Sequence, residues 1–573
     1  MKRSIALTFA VAGLLATSAA PPPRHAATDY SMLIRGGTIY DGSGGDPYVG
    51  DVAIKGDKIV YVGPHAPGRA QRTIDAAGEA VSPGFINMLS WAVESLIADG
   101  RGMSDTYQGV TLEVFGEGDS MGPLTPHMKQ LALQRQGDIK YPIKWTTLGQ
   151  YLEYLQHKGI TPNVASFVGA TTVRVHELGE KDVQPTPAQL DRMRALVRAA
   201  MKDGALGVGS ALIYAPATYA RTPELTALVT EAGKCGGMYI SHMRSEGNKV
   251  LEATEELIKI SRDSGAPAEI YHFKQAGQPN WSKLEPMIAR VNAARASGQR
   301  ISANMYTYLA GATGLDAAMP TWVQSGGLEA WIARMKDPKV RARVIEEMKT
   351  PSDKWENLLL LSGGPQNVLL VSFKNPKLKY LTGKTLAEVA KMRGKSPEET
   401  AIELVTEDDS RVGTIFFIMS EDNVRREVGL AWMSFGSDEA SPAPEGVFLK
   451  SRSHPRAYGN VARLLGHYVR DEHAATLQDA IRRLTSLPAT NLSLHQRGSL
   501  KPGYYADVVV FNPATIQDHA TYEKPDQLAT GVDDVFVNGV QVLKDGKHTG
   551  AKPGRFVRGP GWTGWPGGGA CKR

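Results

Sequence analysis

Cysteine is nearly absent from this chain: Cys235 and Cys571 are the only two among 573 residues. That scarcity excludes a small disulfide-stapled scaffold, and nothing in the spacing forces the two thiols to pair. Long apolar runs are missing too. The stretch from Ile5 to Leu15 falls short of the roughly 20 residues that a membrane-spanning helix needs. Charge of one sign is not concentrated anywhere. The formal net charge of +6 is small for this length and Lys and Arg are dispersed, so nucleic-acid binding is not indicated. What is present, 42% hydrophobic and 22% charged residues with many Gly and Pro, fits a soluble globular enzyme and argues against disorder or a coiled coil. The length exceeds what one compact core usually supports, so several domains, or a large barrel with accessory parts, are expected.

Residues 1–20 place Lys2 and Arg3 before the apolar stretch and end on small residues, Ala16 to Ala20. This is the layout of a secretory signal peptide cleaved near Ala19 or Ala20, which predicts an exported, periplasmic or secreted protein without stable membrane insertion. A Pro-rich linker covers 21–29. Residues 30–80 read as short strands with tight turns, and the C-terminal region carries the same signal in YYADVVVFNP and in VDDVFVNGVQVLKDG, where Asn538-Gly539 marks a hairpin. The two chain ends, 30–80 and 491–573, are therefore expected to form one β-sandwich domain. Between them, eight apolar runs alternate with helix-length segments: FINML, TLEVFGEG, VASFVGA, ALGVGSALI, MYISHM, EIYHFK, ISANMYTY and WMSFGSDE. Continuous apolar runs suit buried parallel strands. The pattern predicts an α/β fold, a (β/α)8 TIM-type barrel over 81–319 and 431–490. Residues 320–430, rich in Lys, Glu and Met, are predicted to be an inserted helical subdomain over the barrel.

In such a barrel, chemistry sits at the C-terminal strand ends. The polar residues ending the runs are Glu117, Tyr214, His242, His272, Lys274, Tyr306 and Asp438. His242 and His272 end adjacent strands. Two imidazoles and a carboxylate such as Glu117, with a coordination position left open, make a catalytic zinc set, although either histidine taken alone would read as a satisfied core residue. Asp438 is placed to move a proton between water and a leaving amine, and could alternatively be a helix N-cap. Lys274 and Arg456 bring positive charge to the same rim.

These segments resemble the N-acyl-D-amino-acid deacylase (D-aminoacylase) branch of the amidohydrolase superfamily over nearly the whole mature chain. The pieces that carry the likeness include LIRGGTIYDGSG, SPGFIN, GALGVGSALIYAPATYA, YISHMRSE, YHFKQAG, MSFGSD, HPRAYGN and RLLGHYVRD. The resemblance implies metal ligation by His242 and His272, a catalytic Asp438, substrate-carboxylate contacts from Lys274, Tyr306 and Arg456, and an active-site role for Tyr214. It also implies a Cys ligand after the second strand, where this chain reads Gly116-Glu117-Gly118-Asp119. Glu117 is the expected replacement, with Asp119 the alternative. Relatives carry a His-x-His pair after the first strand, where Leu89 and Trp91 stand here, and no His-x-His occurs anywhere in the chain. One zinc ion per chain, or another divalent metal, is the expected cofactor. The expected reaction is hydrolysis of the amide of a small N-acyl amino acid by metal-activated water. A dipeptidase or cyclic-amide hydrolase of the same fold, and a binding protein that has lost its chemistry, are the competing expectations.

Overall fold

The computed structural model describes residues 29–571; the expected signal peptide and most of the expected linker lie outside the described residues. Eight parallel strands form the centre: Phe85–Asn87, Val110–Phe115, a third strand in two pieces (Asn163–Ser166 and Val168–Gly169), Gly207–Ala211, Met238–His242, Ala268–Ile270, Ile301–Met305 and Met433–Phe435. They correspond one to one with the eight apolar runs. Every residue of the second strand is buried, as expected where helices cover one face and the barrel interior the other. Phe167 N donates to Phe115 O at 2.9 Å and Leu206 N to Ser166 O at 3.0 Å, which carries the ladder across the interrupted third strand. The barrel closes where the eighth strand meets the first. Met88 N donates to Phe435 O at 3.1 Å, and Ser90 bridges Glu439 in parallel.

The surrounding helices carry their own start and stop signals. Pro187–Asp203 has a capping box between Thr186 and Gln189, Pro at its first turn and left-handed Gly204 at its end, and it buries Met193, Val197, Ala200 and Met201. That spacing is one helical face. Both chain ends join one nine-stranded sheet, in which Val508–Phe511 pairs antiparallel with Ala80–Pro83. Its apolar side, including Ile34, Val52, Ile59, Val508 and Phe536, forms a core of its own. Residues 549–571 leave this sheet and run under the barrel. Gly554, Val557 and Gly559 donate to Ile160, Val164 and Gly204 near the N-terminal ends of the third and fourth strands. The run ends in a disulfide between Cys571 and Cys235, a pairing that spacing alone had not required.

The insertion differs from its helical reading. Besides helices such as Pro338–Lys349 and Pro397–Asp408 it contains an antiparallel sheet of Ala310–Gly314, Gly413–Phe417 and Val368–Ser372. The first of these strands leaves the barrel ahead of residue 320. Its partner lies about 100 residues away in sequence, so no hairpin turn announces it. Among the described residues no helix is long and apolar enough to cross a membrane.

One buried pair inside the barrel wall is sensitive to pH. Burial pushes the Glu113 carboxyl up to about 7 even though Ser90, Asp105 and Asn87 support its charge, and burial together with Glu113 raises its neighbour Asp105 as well. A carboxyl raised in the folded state binds more protons there than in the unfolded chain. Its contribution therefore declines as pH climbs from the unfolded value near 4.3 to about 7 and stays lost above it. Glu113→Gln, which keeps the shape without the titration, is expected to raise stability by only about 1 kcal/mol at pH 5 and by on the order of 3 kcal/mol at pH 8. Urea denaturation at the two pH values measures this, and an equal effect at both would contradict it.

Candidate active site

The C-terminal ends of the strands open into one cavity of about 780 Å³, within the range of small-molecule sites. Glu117, His242 and His272 meet on its floor, all three buried, with one ligand-type atom from each within 4.8 Å of the others. Glu117 Oε1 lies 3.2 Å from His242 Nδ1 and 2.7 Å from His272 Nε2. Burial works against charge on Glu117, but the two imidazoles outweigh it and hold the carboxyl well below the usual range. Two imidazole nitrogens and a carboxylate oxygen directed at one point form a donor set that a single divalent cation satisfies, and the combination suits zinc. Asp119 is not part of this set. It faces the cavity two residues on, where burial pushes its carboxyl up to about 6 against the attraction of Arg411.

The candidate ligands are held from behind. Asn304 Oδ1 accepts from His272 N at 2.9 Å, and the φ of His272 is +34°, a left-handed backbone that few non-glycine residues adopt and that occurs where the surroundings dictate it. Glu246 Oε1 lies 2.9 Å from His272 Nδ1 and accepts from Lys274 Nζ at 2.8 Å. A carboxylate behind the outer ring nitrogen leaves Nε2 to serve as the ligand atom. Glu246 was not singled out in the sequence, although it lies within YISHMRSE, four residues after His242. Lys274 Nζ is also 2.8 Å from His272 Nδ1, so the ammonium that the family resemblance directs at substrate here sits in the shell around the ligands.

Asp438 stands across the cavity floor with φ at +52°. Its Oδ2 is 2.8 Å from Arg456 Nη2, which donates also to the Asp438 carbonyl at 2.6 Å. Burial raises the Asp438 carboxyl, opposed chiefly by Arg456. The Arg456 guanidinium lies 4.3 Å over the Tyr306 ring. Its Nε and Nη1, and the Tyr306 hydroxyl, are buried without a hydrogen-bond partner. Tyr214 packs its ring 5.2 Å from that of His242, and burial together with the Glu117 charge keeps its phenol neutral. Leu89 is wholly buried among apolar neighbours. Trp91 lines the cavity, and its indole N–H reaches both Glu117 Oε2, at 3.0 Å, and Asp438 Oδ1, at 3.1 Å. The insertion supplies the facing wall with Trp331, Val371 and Arg411; Arg411 pairs with Asp316 at 2.9 Å and lies over the Tyr214 ring.

A barrel with a buried His-His-carboxylate cluster at its C-terminal face and an acid opposite defines a metal-dependent hydrolase class, and the comparisons agree. The amidohydrolase family profile matches residues 72–543, and the chain belongs to that family, in its D-aminoacylase branch. It is 31% identical to a D-aminoacylase of Alcaligenes xylosoxydans xylosoxydans over 92% of this chain and 97% of that one. Among solved structures it is similar to a D-aminoacylase whose binuclear centre is described as showing one-metal activation and second-metal attenuation. That likeness has a TM-score of 0.77 at 32% identity, over 92% of this chain and all of that one. It is similar also to an N-acyl-D-glutamate deacylase of Bordetella bronchiseptica complexed with zinc and a phosphonate mimic of the tetrahedral intermediate. There the TM-score is 0.75 at 27% identity, over 92% of this chain and 99% of that one.

The geometry separates the two candidate carboxylates by experiment. Glu117→Ala is expected to abolish stoichiometric zinc binding with the circular-dichroism spectrum retained, whereas Asp119→Ala keeps the metal. Metal analysis of the two purified variants decides, and the reverse result would transfer the ligand role to Asp119.

Proposed function

We propose that the protein hydrolyses the amide bond of an N-acyl-D-amino acid with a single zinc ion held by Glu117, His242 and His272. The observation that carries this is the set of buried, unpartnered donors at the cavity wall, Nε and Nη1 of Arg456 and the hydroxyl of Tyr306. Buried donors left without acceptors cost about 1–3 kcal/mol each, more when charged, and a planar guanidinium edge matches a carboxylate. They fit the carboxylate of an acylated amino acid. The relatives that act on such substrates support the D series.

Bound zinc supplies Lewis-acid polarisation of the acyl carbonyl and of the attacking water. The chain's own groups do the rest. Arg456 and Tyr306 hold the substrate carboxylate, which fixes the scissile amide over the floor between Asp438 and the ligands. Asp438 takes the proton from the attacking water and delivers it to the leaving nitrogen, which is general base and then general acid catalysis by one group. Neutral Tyr214, beside His242, donates to the oxygen that gains charge as the carbonyl becomes tetrahedral. The partner is thus a small amide, and the apolar side chains of the insertion exclude water from it.

Incubation with N-acetyl-D-amino acids, N-acetyl-L-amino acids, dipeptides and cyclic amides tests the assignment. Release of free D-amino acid is expected, and turnover confined to L-amides, dipeptides or cyclic amides would overturn it. Arg456→Ala is expected to lower kcat/KM by on the order of 100-fold, as removal of a charged hydrogen bond does. Lysine at that position is expected to restore little, lacking the fork; full activity in either variant would remove Arg456 from carboxylate binding.

We also propose that the protein is exported. The N-terminal pattern of residues 1–20 supports this, as does the Cys235–Cys571 disulfide, a bond that persists in oxidising compartments. N-terminal sequencing of the protein recovered from the periplasm or medium is expected to start near residue 20. Full-length protein with free thiols, confined to the cytoplasm, would contradict export.

A further inference from the structure

Glu117 and Asp438 direct carboxylate oxygens at a common point on the floor of the cavity, and the Glu117 charge is one of the influences that raise the Asp438 carboxyl. Two buried carboxylates in that relation repel one another unless a proton, a cation or a hydrogen-bond donor lies between them. The group between them is the Trp91 indole, with Nε1 at 3.0 Å from Glu117 Oε2 and 3.1 Å from Asp438 Oδ1. Its place is fixed by the barrel seam. Trp91 N donates to Glu439 O at 2.8 Å, Asp438 N to Leu89 O at 2.8 Å and Ser90 N to Val114 O at 2.9 Å, so the segment is tied to the second and eighth strands together.

The division of oxygens is informative. On Glu117, Oε1 faces the imidazoles and Oε2 takes the indole; on Asp438, Oδ2 takes Arg456 and Oδ1 the indole. One oxygen of each carboxylate is therefore taken by its own partner, the imidazoles for Glu117 and Arg456 for Asp438, and the other rests on the same N–H. An indole nitrogen is a donor only. It neither ionises in this range nor offers a lone pair to a cation, so it satisfies both carboxylates without adding charge. We propose that Trp91 is a positioning residue whose N–H does the work of a bridging cation, orienting the ligand Glu117 and the acid–base Asp438 at once and confining the centre to one metal. The effect on turnover rests on the hydrolase reading above, but the effect on the metal does not.

Trp91→Phe removes the N–H and keeps an aromatic ring, and Trp91→Gln removes the ring and keeps an N–H donor. Removing an outer partner of a ligand typically weakens metal binding or activity by roughly 10–100-fold. The phenylalanine variant is therefore expected to bind zinc at least about tenfold more weakly than the parent in chelator competition. Its kcat should fall with KM little changed and its thermal midpoint should be retained. The glutamine variant is expected to recover part of the zinc affinity. Parental zinc affinity in Trp91→Phe would overturn the proposal whatever its activity. Equal losses in the two variants would overturn it as well, because ring packing rather than the N–H would then be responsible. If the parent hydrolyses no amide, the zinc measurements still decide the question.

Discussion

Two carboxylates facing one another in a buried space are the constraint on which this site depends. Glu117 keeps its charge because two imidazoles surround one of its oxygens, and Asp438 is held against Arg456. The barrel closes between them, and its backbone register carries Trp91 into the gap. Were the first and eighth strands to slip by one residue, every side chain at the seam would change face. Leu89 would leave the core and the indole would lose both acceptors. Closure of the barrel and assembly of the Glu117–Trp91–Asp438 contact are thus one event.

Around that floor, polar groups are paired in depth. Glu246 serves His272 and Lys274, and Asn304 fixes the His272 backbone while also donating to Glu269. Among the buried groups left without a partner, Nε and Nη1 of Arg456 and the Tyr306 hydroxyl lie together at the cavity wall. His272 and Asp438 both take left-handed backbone, strain that persists only where the surroundings over-determine it. The insertion, with its own sheet, forms the opposite wall. Variation there would change which acyl group or side chain fits without touching the floor.

Much of the fold was legible because buried parallel strands read as continuous apolar runs and helices announce themselves through caps, as Thr186, Gln189 and Gly204 do. The strand ends then pointed to Glu117, His242, His272, Tyr306 and Asp438. The sheet inside the insertion was not legible, since its first strand pairs across about 100 residues and the others across an intervening pair of helices, without a turn signal. Glu246 was hidden because nothing local says that a glutamate four residues after a histidine folds back behind another strand's histidine. Lys274 was legible as a positive charge at the rim but not as a partner of Glu246.

By itself the sequence determined the barrel, the two-ended sheet and the pair of imidazoles, because these follow from residue type and periodicity; that Leu89 and Trp91 stand where relatives carry a His-x-His pair came from the family resemblance. Tertiary structure alone decided three further matters: that Glu117 rather than Asp119 joins the imidazoles, that Cys235 meets Cys571, and that the tryptophan which cannot bind a metal donates to both carboxylates. The physical reason is the same in each case. Ligation, a disulfide and a bifurcated hydrogen bond need atoms placed within a few tenths of an ångström, and that placement is set by strand register and barrel closure between segments hundreds of residues apart.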